Sequence, residues 1–194
     1  KLGTHEELAY YSISVAIANS LWMVAASIGV VVFSNASNTI SKYNPSNVQK
    51  LALISGIISV VAALAILLIG KYLIVLFFGL PYAKSYRLLI ALLPGIMFGG
   101  YFRIIGAYLN GIGLQLELLV VVLIICIATT LLDLIFIPKF GAIAASIISS
   151  LSYMIIGIIT ILMFAKKQNC NVWEFFIPSK SLIREILTKI SWKH

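Results

Sequence analysis

Residues 51–78 read LALISGIISVVAALAILLIGKYLIVLFF, an apolar run with one charged residue, Lys71. A helix of this length, rising about 1.5 Å per residue, is long enough to cross the ~30 Å hydrocarbon core of a bilayer. A helix also pairs its backbone N–H and C=O groups internally, which a lone strand in lipid cannot do. The stretch therefore predicts a transmembrane helix.

Similar apolar runs lie on both sides of this one, separated by helix-breaking residues. The predicted spans are about residues 8–33, 51–78, 86–110, 114–137 and 141–165. Gly79-Leu80-Pro81 closes the second span, and Pro138 is predicted to end the fourth. The chain is 61% hydrophobic and 10% charged, whereas soluble domains are about 45–50% apolar and about 25% charged. The sequence therefore predicts an all-α integral membrane protein, a bundle of about five transmembrane helices.

The basic residues predict the orientation of the bundle. A net charge of +8 suggests nucleic acid in a soluble protein, but here many lysines and arginines lie in connections or in the tail, where orientation and lipid headgroups account for them. We therefore expect the lipid bilayer as a partner and no nucleic acid. The bias places residues 166–194 in the cytoplasm, as a basic amphipathic tail of a multi-pass protein of the cell (plasma or inner) membrane. The chain begins at Lys1 without a signal peptide, and we expect it to be a fragment of a longer protein.

The third span carries a charged residue among small ones. Gly95, Gly99, Arg103 and Ala107 recur every fourth residue and share one helix face, where small side chains let helices approach closely. Inserting an arginine into the middle of a span costs at least about 2.5–3.5 kcal/mol on insertion scales, so such a residue usually has a counter-charge or a functional role. Glu117 lies at a similar depth across the predicted hairpin. Three interpretations stay open: Arg103 binds an anionic substrate with Glu117 as its resting counter-ion, the two form a permanent ion pair, or Arg103 snorkels to the interface.

Other polar residues in the spans are weaker candidates. Asp133 could bind a proton or cation, or it could lie at the outer interface bonded to water or to neighbouring spans. We expect the Asn19 side chain to form a hydrogen bond to a neighbouring helix. The alternative is that it contacts the substrate. The sequence contains no metal-ligand spacing, phosphate-binding loop or nucleophile motif, so neither an enzyme nor a cofactor is predicted. The two cysteines, Cys126 and Cys170, are not expected to form a disulfide.

Two stretches carry a resemblance to a known family. Residues 78–89 read FGLPYAKSYRLL and run into Leu92-Leu93-Pro94-Gly95, and residues 132–146 read LDLIFIPKFGAIAAS. In this order they resemble the C-terminal half of polysaccharide flippases of the multidrug/oligosaccharidyl-lipid/polysaccharide exporter superfamily. The resemblance covers residues 1 to about 165, which it identifies as a polysaccharide biosynthesis C-terminal-type transmembrane domain. Asp133 stands where the family more often has Asn.

The resemblance implies a fold, a substrate and site residues. The chain would be the second lobe of a two-lobed flippase-like transporter, and its partner would be the missing N-terminal lobe of the same protein. The substrate would be a polyprenyl-pyrophosphate-linked oligosaccharide, moved from the cytoplasmic to the outer leaflet for cell-surface polysaccharide synthesis. Arg103 would suit the pyrophosphate or acidic sugars, and Tyr101, Tyr108 and Trp22 could contact sugar rings.

Two alternatives to this function remain. One is a multidrug/cation antiporter of the same superfamily, which would favour buried carboxylates over basic residues in the cavity. The other is a non-transporting membrane scaffold subunit. Arg103 and the small number of intramembrane acids favour anionic cargo. A homologous lobe upstream of residue 1 would support transport, and a native start near Lys1 would support the scaffold.

Overall fold

A computed structural model of the protein describes residues 5–38 and 44–176. Within these residues lie five long helices, α1 (His5–Ser37), α2 (Pro45–Phe78), α3 (Ser85–Gly111), α4 (Gln115–Phe140) and α5 (Ala142–Gln168). Short 3-10 helices occupy Leu80–Lys84 and Val172–Phe175. Each long helix is apolar and long enough to cross a membrane. The predicted all-α membrane bundle is confirmed.

The helices extend further at their polar ends than the apolar runs that predict them. The Asn44 side chain accepts a hydrogen bond from the Ser46 backbone N–H at 3.0 Å, and Pro45 occupies the first turn of α2. A cap of this kind together with a proline in the first turn is a strong start signal for a helix. At the other end, Gly79 closes α2 with a positive φ of 92° and donates its N–H to the Val75 carbonyl. The predicted closure of this helix at Gly79 is confirmed.

The fourth helix does not end at Pro138. It continues to Phe140 and ends at Gly141, which has a φ of 66° and donates its N–H to the Ile137 carbonyl at 2.8 Å. A proline in the last turn removes a single backbone donor, whereas a positive φ at the next position turns the chain out of the helix. The prediction that Pro138 ends the span is therefore wrong by a few residues.

The third helix is the centre of the bundle. It packs extensively against α1 and α5 and less against α2, while α1 and α5 make few contacts with each other. It runs unbroken through Pro94, and Gly95 donates its N–H to the Ser150 hydroxyl of α5 at 2.9 Å. A Cβ at Gly95 would lie 2.5 Å from the Ser150 Cα, and one at Gly29 would lie 2.9 Å from the Arg103 carbonyl oxygen. Small residues thus set the approach of α3 to both neighbours.

The fourth helix lies on the outside of the bundle. Leu118 is its single buried residue, and it packs mainly along α5. Its exposed side chains are apolar along most of its length. An exposed apolar helix of this length is suited to contact with lipid acyl chains.

The start of the predicted tail folds back onto the bundle. Phe175 is fully buried, with its ring 5.5 Å from that of Phe164 in α5. Phe175 therefore fills the helix-bundle core, although it belongs to the segment that the sequence predicts as a cytoplasmic tail. Trp173 and Phe176 are exposed. The predicted amphipathic helix after Pro178 lies outside the described residues.

Candidate functional site

Side chains of α1 and α5 meet on one side of α3, which packs against both helices while these two make few contacts with each other. We call this region the α1–α5 groove and define it by residues from all three helices: Tyr11, Trp22, Arg103, Ser149 and Tyr153. Two contacts join its walls. The hydroxyls of Tyr11 and Ser149 lie 3.0 Å apart, and the rings of Trp22 and Tyr153 meet edge to face at 4.8 Å.

Trp22 is held in one orientation by contacts on three sides. Its indole N–H donates to the Ile96 carbonyl of α3 at 2.9 Å, and Tyr153 packs against its ring. The third side is Gly99, where an added Cβ would lie 2.5 Å from the indole Cζ2. Glycine at this position leaves the space that the indole occupies. The side chain is consequently buried in spite of its size.

Arg103 lies over this indole. Its Cζ is 5.3 Å from the centre of the Trp22 ring, within the range of a cation–π contact, and the residue is exposed. Trp22 itself rests on Ile96 and Gly99, which precede Arg103 on α3. The guanidinium therefore points toward the start of α3 at Ser85. The nearer end of the helix is Gly111, about 12 Å away along the axis. An arginine that snorkelled to that end would point toward Gly111 instead.

Glu117 is not brought to Arg103. It is exposed in the first turn of α4, next to Leu118, which faces α3 at Gly106. Within the described residues, no ion pair joins the two side chains. The expected hairpin is present, but the Arg103 side chain lies on the α1 side of α3 and α4 packs elsewhere. The described residues therefore do not bring Glu117 together with Arg103.

Tyr101 and Tyr108 lie away from the groove. Tyr101 is buried toward α2, where its hydroxyl lies against Gly56 and donates to the Phe175 carbonyl at 3.1 Å. The Tyr108 hydroxyl accepts a hydrogen bond from Gln168 at 3.0 Å. Both hydroxyls are engaged within the bundle. The structure therefore does not bring these two candidates together with Arg103.

Asn19 lies beside the groove, one helical turn before Trp22, and is exposed. Its side chain makes no hydrogen bond to any other described residue. The interhelical bond that the sequence predicts is thus not formed in the described part of the chain. An amide exposed in the middle of a span favours a polar neighbour over lipid, because hydrocarbon offers it no hydrogen bond.

Asp133 of α4 is half-buried, and its Oδ1 is buried without a hydrogen-bond partner among the described residues. One turn earlier, the Thr129 hydroxyl lies 2.6 Å from that of Ser152 in α5. Because α4 and α5 are antiparallel, the turn of α4 after Thr129, which contains Asp133, lies level with the turn of α5 before Ser152. That turn of α5 contains Ser149, which contacts Tyr11. Asp133 therefore lies at the depth of the contact between Tyr11 and Ser149.

Sequence reasoning named Trp22 but missed the other residues that join the walls of the groove, Tyr11, Ser149 and Tyr153. Tyr11 and Trp22 lie about three turns apart on one face of α1, and Ser149 and Tyr153 are four residues apart on α5. The helical spacing of these residues, which puts each pair on one face of its helix, could have indicated the site. The spacing does not show that the two faces meet across α3.

The groove offers a fixed cation beside aromatic surfaces. A guanidinium presents a planar fork of donors that matches phosphate or carboxylate oxygens in a bidentate manner. Residues 5–38 and 44–176 contain no group of three or more metal-ligating side chains. No protein-family model matches the chain, and no curated protein or solved structure matches it.

Proposed function

We propose that the protein is the C-terminal part of a membrane flippase that translocates polyprenyl-pyrophosphate-linked oligosaccharide units for cell-surface polysaccharide synthesis. The motifs at residues 78–95 and 132–146 support this family. The observation that carries the proposal is the Arg103 guanidinium, which is held on Trp22 inside the groove with no carboxylate paired to it among the described residues.

This arrangement favours an anionic ligand over a structural role. A structural arginine in a span normally pairs with an acid or reaches the interface. Arg103 has no acid partner among the described residues, and its stacking on a fixed indole pre-organises the guanidinium. A pyrophosphate would supply the missing negative charge, and the half-buried ring of Tyr153, which packs on Trp22, would provide a surface for a sugar.

The exposed amide of Asn19 is a reason to expect a second lobe on the side of the bundle that carries the α1–α5 groove. A lipid-facing surface would leave this amide without hydrogen bonds, whereas a water-filled cavity between two lobes would hydrate it. We place the N-terminal lobe of the same protein opposite the α1–α5 groove. Alternating opening of the cavity between the lobes would then move the substrate.

Replacement of Arg103 in the full-length protein tests the proposal. Arg103→Ala should abolish export of surface polysaccharide and leave membrane insertion intact. Arg103→Lys should keep part of the export, because the charge remains and the bidentate fork is lost. Export and protein abundance are measured together, and Lys71→Ala, an exposed cation of α2, is the matched control.

A double mutant separates the substrate role from an ion pair with Glu117. If the two side chains formed a structural pair, each single removal would strand a charge and lower abundance, and the double removal would restore it. Because the described structure does not pair them, Arg103→Ala with Glu117→Gln should export no better than Arg103→Ala. Recovery of export and abundance in the double mutant would refute the substrate role.

Asp133 favours a second candidate, a multidrug/cation antiporter. A half-buried carboxylate oxygen without a donor is suited to binding a proton or cation. The Asp133→Asn variant separates the two candidates when drug efflux is measured beside polysaccharide export. An antiporter would lose cation-coupled efflux of drugs in this variant, whereas a flippase that depends on Arg103 would keep its polysaccharide export.

A further inference from the structure

A second cavity, distinct from the groove, opens at the end of the bundle where α1, α3 and α5 begin. Its volume is about 510 Å³, and its polar lining comes from α1 and from the start of α3: Glu6, Glu7, Tyr10, Lys84 and Arg87. These residues lie at helix ends, which places the cavity at the level of the membrane surface. The cavity thus combines two carboxylates with two cations at the depth of lipid headgroups.

An apolar groove continues from this cavity along the outside of the bundle. It has a volume of about 410 Å³, lies between α4 and α5, and shares Phe140 and Ile143 with the cavity. It extends to Leu132 and Leu151 and is lined by apolar residues alone. From Phe140 to Leu132 it descends about 12 Å along the helix, close to the thickness of one hydrocarbon leaflet.

A mixed-charge cavity joined to an apolar groove matches one amphiphile of defined charge. We propose that the two together bind a zwitterionic phospholipid with a primary ammonium headgroup. Its phosphate lies between Lys84 and Arg87, its ammonium lies at Glu6, and one acyl chain occupies the α4–α5 groove.

The charges select among lipid classes. An anionic phosphatidylglycerol brings a phosphate for the cations but no positive group for the Glu6 carboxylate. A phosphatidylcholine brings a quaternary ammonium, which has no N–H to donate to a carboxylate. The aromatic face that could hold such a group belongs to Tyr10, and the Lys84 Nζ already lies 5.8 Å from its centre. Phosphatidylethanolamine satisfies both charges and donates hydrogen bonds.

Native mass spectrometry of the full chain tests the selection. The purified protein is incubated with equal amounts of palmitoyl-oleoyl phosphatidylethanolamine, phosphatidylcholine and phosphatidylglycerol in mixed micelles. Phosphatidylethanolamine should be retained about tenfold over the other two, the size expected for one or two charge-assisted hydrogen bonds. Arg87→Gln should remove most of this preference, and Lys71→Gln, an exposed cation of α2 outside the cavity, should not.

Two further variants keep the test independent of folding defects. Glu6→Lys, at an exposed position, should shift the preference toward phosphatidylglycerol, a gain that a misfolded protein would not show. Ile147→Trp, in the groove, should reduce retention of all three lipids, and Ile155→Trp, exposed on α5 outside the groove, should not. Equal retention of the three lipids, or a preference that Arg87→Gln and Glu6→Lys leave unchanged, would show annular contact only and overturn the proposal.

Discussion

Trp22 links the packing of the bundle to the candidate site. Its ring fills the space over Gly99, its N–H is bonded to the Ile96 carbonyl, and Arg103 lies over the ring. A shift of this one side chain would therefore alter the direction of the guanidinium. The position that controls this shift is Gly99, because a glycine there leaves room for the indole.

Gly99→Leu should destabilise the protein by about 1–3 kcal/mol, the usual effect of forcing extra atoms into a packed site. A Cβ alone would lie 2.5 Å from Trp22, so the indole or the helix must move. The measurement is thermal unfolding in detergent, with Ala128→Leu on the exposed face of α4 as a control for added volume. A melting temperature equal to that of the wild type would show that Gly99 does not contact the indole.

Among the helices, α4 depends on a single neighbour for its position. It packs mainly along α5, and one hydrogen bond between side chains, 2.6 Å long between the hydroxyls of Thr129 and Ser152, joins them near the middle of both helices. Each hydroxyl also lies within hydrogen-bond distance of a carbonyl of its own helix. Because a hydroxyl has a single hydrogen, the one that donates across the interface gives up its own carbonyl, and it can return there if the interhelical bond breaks.

A double-mutant cycle measures this bond. We expect Thr129→Val and Ser152→Ala to show a coupling of about 0.6 kcal/mol, the average for interhelical hydrogen bonds in membranes, because the donating hydroxyl can bond to a carbonyl of its own helix when its partner is removed. The measurement is reversible unfolding in bicelles for the wild type, the two single variants and the double variant. Strictly additive effects would mean that the two hydroxyls do not interact in the membrane.

The helices were predictable from the sequence because apolar runs of this length have one stable form in lipid. Their ends were harder, since Asn44 and Gly141 act through a cap and a positive φ that hydrophobicity does not report. The face of α3 that carries Gly95, Gly99 and Arg103 was also predictable from spacing. The neighbours of that face were not, because they depend on which helices pack around α3.

The whole molecule has a predicted direction in the membrane. The starts of α1, α3 and α5 share one end of the bundle with Lys84 and Lys139, and the end of α5 with Lys166 lies at the other. The basic residues of the chain favour the second end as the cytoplasmic one.

Cysteine labelling of intact cells checks this orientation. In a background without Cys126 and Cys170, a cysteine at 84 or 139 should react with an impermeant maleimide from outside. A cysteine at 166 should react only after the cells are permeabilised. Labelling at 166 but not at 84 in intact cells would reverse the orientation.

The central position of α3 also bears on how the protein is made. This helix carries both Pro94 and Arg103, so it should partition into lipid less readily on its own than a span without a charge. Its two main neighbours are α1, which is synthesised before it, and α5, which is synthesised after it. The translocon therefore receives this span before one of its principal partners has been made. Among the described helices, the packing around α3 is complete only when α5 has been inserted.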